Sequence, residues 1–199
     1  VAAVMFIYGL KGMSSPVTAR QGMIWAGAAM LLAVLVTFIH PKVEGNYGLM
    51  LIALVSASVL AWWWARIVAM TDMPQMIALY NGMGGGSAAA IAGVELLKMH
   101  SGAVEIVPTT LLVASFGAII GSIAFSGSLV AFAKLQGWLR KTWRFNGQQM
   151  INLIVFGLTV VFALLIFIFD PNPFLLVLFF GLALAAGVLI TIPIGGADM

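Results

Sequence analysis

The sequence predicts an all-α membrane protein, a polytopic bundle of about seven transmembrane helices with its N-terminus outside. Three observations predict it. Apolar residues make up 63% of the 199 and charged residues only 8%, where an ordinary soluble domain carries about a quarter charged. Nine basic and six acidic side chains cannot clothe a soluble surface of this size, so lipid must cover most of it. Six apolar runs are long enough to span a bilayer, which takes about 20 residues, and the basic residues fall mainly between alternate runs.

Taken in order, Val1 to Leu10 begins apolar with no initiating methionine and no charged leader. It is too short for a secretory signal and reads as the tail of a first helix whose start is absent. The complete spans are residues 22–40, 48–70, 74–98, 107–133, 150–169 and 174–193. Gly12, Ser14, Ser15 and Pro16 break the first pair, His40 to Asn46 the next, and Asp170-Pro171-Asn172-Pro173 the last. These are turn compositions, each expected to join antiparallel neighbours, and residues 1–199 form one transmembrane domain.

With seven spans, one side collects Lys11, Arg20, Arg66, Lys134, Arg140, Lys141 and Arg144, and the other only Lys42 and Lys98. Basic residues favour the inner side, which puts the C-terminal side inside. Trp25, Trp62, Trp63, Trp64, Trp138 and Trp143 fall near that same interface, as an aromatic belt does.

The third complete span opens on Asp72-Met73-Pro74, with Asp72 placed to cap free amides and Pro74 in the first turn. Four glycines then occupy five positions, Gly82, Gly84, Gly85 and Gly86, which nearly match the dinucleotide pattern G-x-G-x-x-G until Ser87 breaks it. That pattern needs a strand before it and a helix after it. Here it begins about 12 Å inside a helix, so close helix packing accounts for it better: Gly82 and Gly86 stand four apart, as do Gly117 and Gly121 in the following span.

Polar residues inside spans need a partner or water. Asn81 lies near mid-membrane, and Glu95 is about 40° round the same helix and about 21 Å further along it. Ser115, Ser122 and Ser126 draw a second stripe, and Asn152 follows early in the next span. Each has a plainer use: serines bond their own backbone, and Glu95 is close enough to the outer end to reach headgroup water. His40, at the start of an outer loop, fits either a solvated loop or the mouth of a proton path. The absence of cysteine, and the 60 residues between His40 and His100, leave no metal-ligand spacing. No nucleophile and base come together, so the segment is not itself expected to catalyse.

Thr71 to Asn81, Phe125-Ser126-Gly127-Ser128-Leu129-Val130-Ala131-Phe132-Ala133-Lys134-Leu135 and Ile194-Gly195-Gly196-Ala197-Asp198-Met199 resemble the membrane domain of the beta subunit of proton-translocating NAD(P) transhydrogenase. The likeness runs in the same order over essentially the whole chain. It implies part of a proton channel that couples hydride transfer between NAD(H) and NADP(H) to proton translocation. Further helices and a soluble NADP(H)-binding domain are expected beyond Met199, so neither cofactor is bound by this segment. Implied partners are the transhydrogenase alpha subunit, that nucleotide domain, the lipid bilayer and a second copy of the complex as a homodimer, with no nucleic acid. The implied location is the bacterial inner membrane, or the mitochondrial one in a eukaryote.

Some members of that family carry a proton-relaying histidine at the position of Asn81. An asparagine cannot hold the proton, which shifts interest to a water path bounded by Asn81, Ser126, Glu95 and His40, with Asp72 and Asp198 coupling the inner ends to the nucleotide domain. A secondary transporter with a site at helix breaks and a non-catalytic membrane scaffold are the alternatives.

Overall fold

A computed structural model of the chain describes residues 1–40, 45–139, 143–144, 146–169 and 171–195. Asp198, Lys42, Arg140, Lys141 and Asp170, named above, lie outside the described residues. The described chain is helical, with α1 at Ala2–Met13, α2 at Ala19–Ile39, α3 at Tyr47–Ile67, α4 at Met73–His100, α5 at Pro108–Leu135, α6 at Gln148–Phe169 and α7 at Pro173–Thr191. Five of these, α2, α3, α5, α6 and α7, are long and apolar enough to cross a membrane. At 12 residues α1 is too short. The 28 residues of α4 are long enough, but Gln75, Asn81, Glu95 and the glycines dilute its apolar character.

The chain divides into two compact units, residues 1–67 and 68–199. In the first, α1 and α2 form a tight hairpin. A methyl group added to Gly22 would stand 2.6 Å from the Met13 amide nitrogen and 2.7 Å from Gly9 O, so only glycine lets the two backbones come this close. The Thr18 hydroxyl donates to Gly12 O (2.7 Å) and the Ser14 hydroxyl to Lys11 O (2.7 Å), bracing the turn. Helix α3 buries no residue, and its Tyr47 ring stacks on Phe38 of α2 with centroids 6.3 Å apart. Its surface is apolar all round, and lipid tails satisfy such a surface as well as another helix does.

In the second unit α4 and α6 run one way and α5 and α7 the other. Helix α5 lies between α4 and α7, and α6 packs on α7. The half remote from Met73 has an apolar core of Leu96 and Met99 from α4, Leu111 and Ala118 from α5, Ile166 from α6 and Phe179 from α7. The other half is joined by small residues and polar contacts. A methyl on Gly121 would lie 2.6 Å from Ala89 N and 2.7 Å from Gly85 O, and one on Gly187 of α7 would collide with the Ser126 hydroxyl of α5.

At the end of this half, Lys134 is 7% exposed. Its ammonium donates to Thr191 O (3.0 Å), Ile194 O (2.5 Å) and Ile192 O. All three ammonium donors are thereby used on carbonyls at the C-terminus of α7, the negative end of its dipole. Arg144 Nε adds a bond to Pro193 O (3.2 Å). Asn172 caps the opposite end of α7, accepting from Phe174 N at 3.0 Å. Asp72 holds the N-cap position of α4 but makes no side-chain cap bond, contrary to expectation. It closes a 3-10 turn with φ −98° and ψ 5° rather than the extended backbone a cap prefers, and Pro74 removes one of the two amides it would have reached.

Two outcomes follow for stability in mixed micelles. Gly121→Ala should destabilise by about 1–3 kcal/mol, as overpacking does, whereas Gly84→Ala, with nothing within 4 Å of the added carbon, should be neutral or stabilise by up to about 1 kcal/mol. Lys134→Met should cost about 2–4 kcal/mol by stripping donors from buried carbonyls, and Lys134→Arg should restore most of it. Equal unfolding curves for Gly121→Ala and Gly84→Ala would contradict the packing assigned to these helices.

Candidate proton-path site

The close approach of α4 and α5 sets the geometry of a polar contact between them. Gly82 sits against Ser128, its added methyl 3.0 Å from Ser128 Cβ, so the adjacent Asn81 reaches across. Asn81 Nδ2 donates to Ser128 Oγ at 2.8 Å. Ser128 is 9% exposed, while Asn81 is exposed. Nearer the α4 start, Gln75 Nε2 donates to Leu135 O at 3.3 Å, and Gln75 Oε1 is buried with no partner. Asn81, Ser128 and Gln75 thus form a polar seam along one half of the α4–α5 interface.

The serine stripe divides between two faces of α5. Ser126 is 7% exposed, donates to Ser122 O at 3.0 Å and faces Gly187 of α7. It does not meet Asn81; two residues on, Ser128 does. Ser122 is 1% exposed, and its hydroxyl has no partner. Ser115 is also buried. Of the glycines, Gly82, Gly85, Gly86 and Gly121 are at close contacts between α4 and α5. Gly117 reaches only ordinary contact, 3.8 Å from Ala92 Cβ, and Gly84 faces open space.

Glu95 is half-buried on the far half of α4 beside the core residue Leu96. Asp72 is exposed at the head of α4. His40 ends α2 in the first unit, at the C-cap with extended backbone. Asn152 is half-buried with its Oδ1 unpartnered, in a polar cavity of 590 Å³ with Gln148, Arg144 and Ile194. Among the described residues no group of three or more histidine, aspartate or glutamate side chains is placed to hold a metal.

Sequence reasoning missed two of these residues. Ser128 stood in the stretch Phe125-Ser126-Gly127-Ser128, but a stripe drawn through Ser122 and Ser126 follows the other face of the helix. Lys134 read as a basic loop residue. Its signal was its position in the last turn of an apolar helix, where a lysine caps carbonyls.

Chemically, the Asn81–Ser128 pair joins an amide donor to a hydroxyl. The hydroxyl keeps its own proton to donate, and the amide carbonyl stays available to accept. Such a pair can order water, but neither group stores a proton near neutral pH.

A family model described as NAD(P) transhydrogenase beta subunit matches residues 1–199. The NAD(P) transhydrogenase subunit beta of Rhodospirillum rubrum is 34% identical over 218 aligned positions, covering 100% of this chain and 44% of that protein. The same subunit from a designated strain of that organism matches to the same extent. The chain therefore spans less than half the length of these relatives, and by its match from end to end it belongs to the NAD(P) transhydrogenase beta subunit family.

Proposed function

We propose that this chain is a proton-translocating membrane segment of an NAD(P) transhydrogenase, coupling proton movement across the membrane to hydride transfer between NAD(H) and NADP(H). The observation that carries this reading is the Asn81–Ser128 hydrogen bond of 2.8 Å between two glycine-packed helices of a chain in this family. The polar seam leads from that contact toward the end of the unit where Asp72 and Lys134 lie, the end at which coupling to a nucleotide domain is proposed. Water ordered by Asn81 and Ser128 carries the proton; Glu95, Ser126 and His40 are the further residues proposed for the path, and Asp72 and Asp198 are proposed to couple it to the nucleotide domain. The nicotinamide cofactors are bound elsewhere in the complete enzyme.

In this reading α1 and α4 also cross the membrane, making seven spans with the N-terminus outside, in the bacterial inner membrane or its mitochondrial counterpart. The alpha subunit and a second copy of the complex are the proposed partners. The unbroken course of α4 through Gly82–Gly86 favours this reading over a transporter site built on discontinuous helices.

In the complete enzyme reconstituted in vesicles, Asn81→Leu and Ser128→Ala should each lower proton pumping and reverse transhydrogenation about fivefold, the worth of one hydrogen bond of ~1 kcal/mol. The double variant should be little worse than either single one, since both remove the same contact. Unchanged pumping in both single variants would remove the pair from the path. Residues 1–199 have no cysteine, so with any cysteines elsewhere in the complete enzyme replaced, orientation is readable with one introduced thiol at a time. Ser14→Cys should react with an impermeant maleimide only in inverted vesicles and Ser101→Cys only in right-side-out ones. Labelling of both from one side would overturn the proposed topology.

A further inference from the structure

The turn between α1 and α2 encloses a half-open cavity of 240 Å³ lined by Tyr8, Lys11, Gly12, Thr18, Gln21, Gly22 and Trp25. Its floor is the Gly12–Gly22 contact, where a methyl on Gly12 would fall 2.9 Å from Gly22 Cα. Its rim carries side-chain donors of four kinds: the Lys11 ammonium, the Gln21 amide, the Tyr8 hydroxyl and the Trp25 indole N–H. The two rings hold each other edge to face, with centroids 6.2 Å apart. None of the four polar ends has a hydrogen-bond or ion-pair partner among the described residues.

The first turn of α2 adds backbone donors. Thr18 sits at its N-cap, but its hydroxyl is engaged with Gly12 O and makes no cap bond. The free amides at the start of this 21-residue helix are left to an outside acceptor, beside the positive end of the helix dipole. No carboxylate competes nearby in sequence: the first acidic residue of the chain, Glu44, comes only after α2 has ended.

We infer that this cavity binds the phosphate of an anionic phospholipid headgroup. An excess of donors over acceptors, one unpaired lysine and helix amides together select a phosphate oxyanion. The surroundings select a lipid as its source. The cavity lies at the end of a helix apolar enough to cross the membrane, and a tyrosine and a tryptophan frame it, as such rings do at headgroup depth. The exposed apolar side chains of Met23 and Ile24 on α2 and Val4 and Ile7 on α1 continue from it as a surface for acyl chains. None of the residues lining the cavity is assigned to the proposed proton path.

Native mass spectrometry of the detergent-solubilised complete subunit tests this with three probes: phosphatidylglycerol, diacylglycerol of the same chains, and inorganic phosphate. The wild-type protein should retain phosphatidylglycerol about tenfold better than diacylglycerol, and Lys11→Ala and Gln21→Leu should each erase most of that preference, as loss of a charge-assisted hydrogen bond does. Lys11→Arg should preserve it, which separates loss of the site from loss of the fold. Equal retention by wild type and both loss variants would overturn the site. Displacement of the lipid by millimolar inorganic phosphate would overturn the lipid source and give the cavity to the free ion.

Discussion

Inside a bilayer, apolar side chains gain nothing by leaving lipid for one another, so helices associate only where their backbones come close or their polar groups meet. The α4–α5 interface satisfies both conditions at one place. Gly85 and Gly121 bring the backbones to a separation that excludes a methyl group, and this closeness lets a side chain as short as asparagine span to a serine on the next helix. The hydrogen bond depends on the glycines more than the glycines depend on it: with larger residues in the crossing, Asn81 would be held too far from Ser128 to reach it.

The second unit is divided along its length. One half is held by an apolar core around Leu96, Leu111 and Phe179, and the other by directional contacts: the Asn81–Ser128 bond, Gln75 on Leu135 O, and Lys134 on the end of α7. Packed apolar groups resist displacement because every shift opens space. A seam of hydrogen bonds with unpartnered neighbours, such as Gln75 Oε1 and Ser122 Oγ, admits alternative partners and water. A moving proton needs the second kind of interior, and a fixed frame needs the first. Lys134 limits how far the polar half can open, since its ammonium ties α5 to α7 at three carbonyls.

Composition and apolar run length were enough to read the helices, because both follow from local chemistry: the run at 107–133 is α5, and Asp72-Met73-Pro74 does begin α4. Which face a residue presents was harder to read. A serine stripe at intervals of seven and four picks a true helical face, but α5 has neighbours on two sides, and periodicity does not say which neighbour each side meets. Ser126 therefore turned toward α7 and Ser128 toward Asn81. Helix α3, apolar on nearly every side and burying no residue, carries no mark of where a partner should lie. Asp72 was read as a cap from residue type alone, and the local φ and ψ that decide capping were not legible.

The glycine contacts and the polar sites coincide in both units. Gly12 and Gly22 floor the donor-lined cavity, Gly82 meets Ser128 beside Asn81, and Gly187 meets Ser126. A common cause is geometric: where two backbones nearly touch, short polar side chains and free peptide groups from both helices come within bonding range, while long apolar ones are excluded. This also bears on the neutral residue at position 81. An asparagine that must donate to Ser128 is useful only if its amide is held in one orientation, and the crossing provides that hold. A titrating group there would change its hydrogen bonding with each proton, whereas the amide keeps the same donor and acceptor throughout. On the proposed function, the contact is suited to be the constant element of a path whose proton-holding groups lie elsewhere.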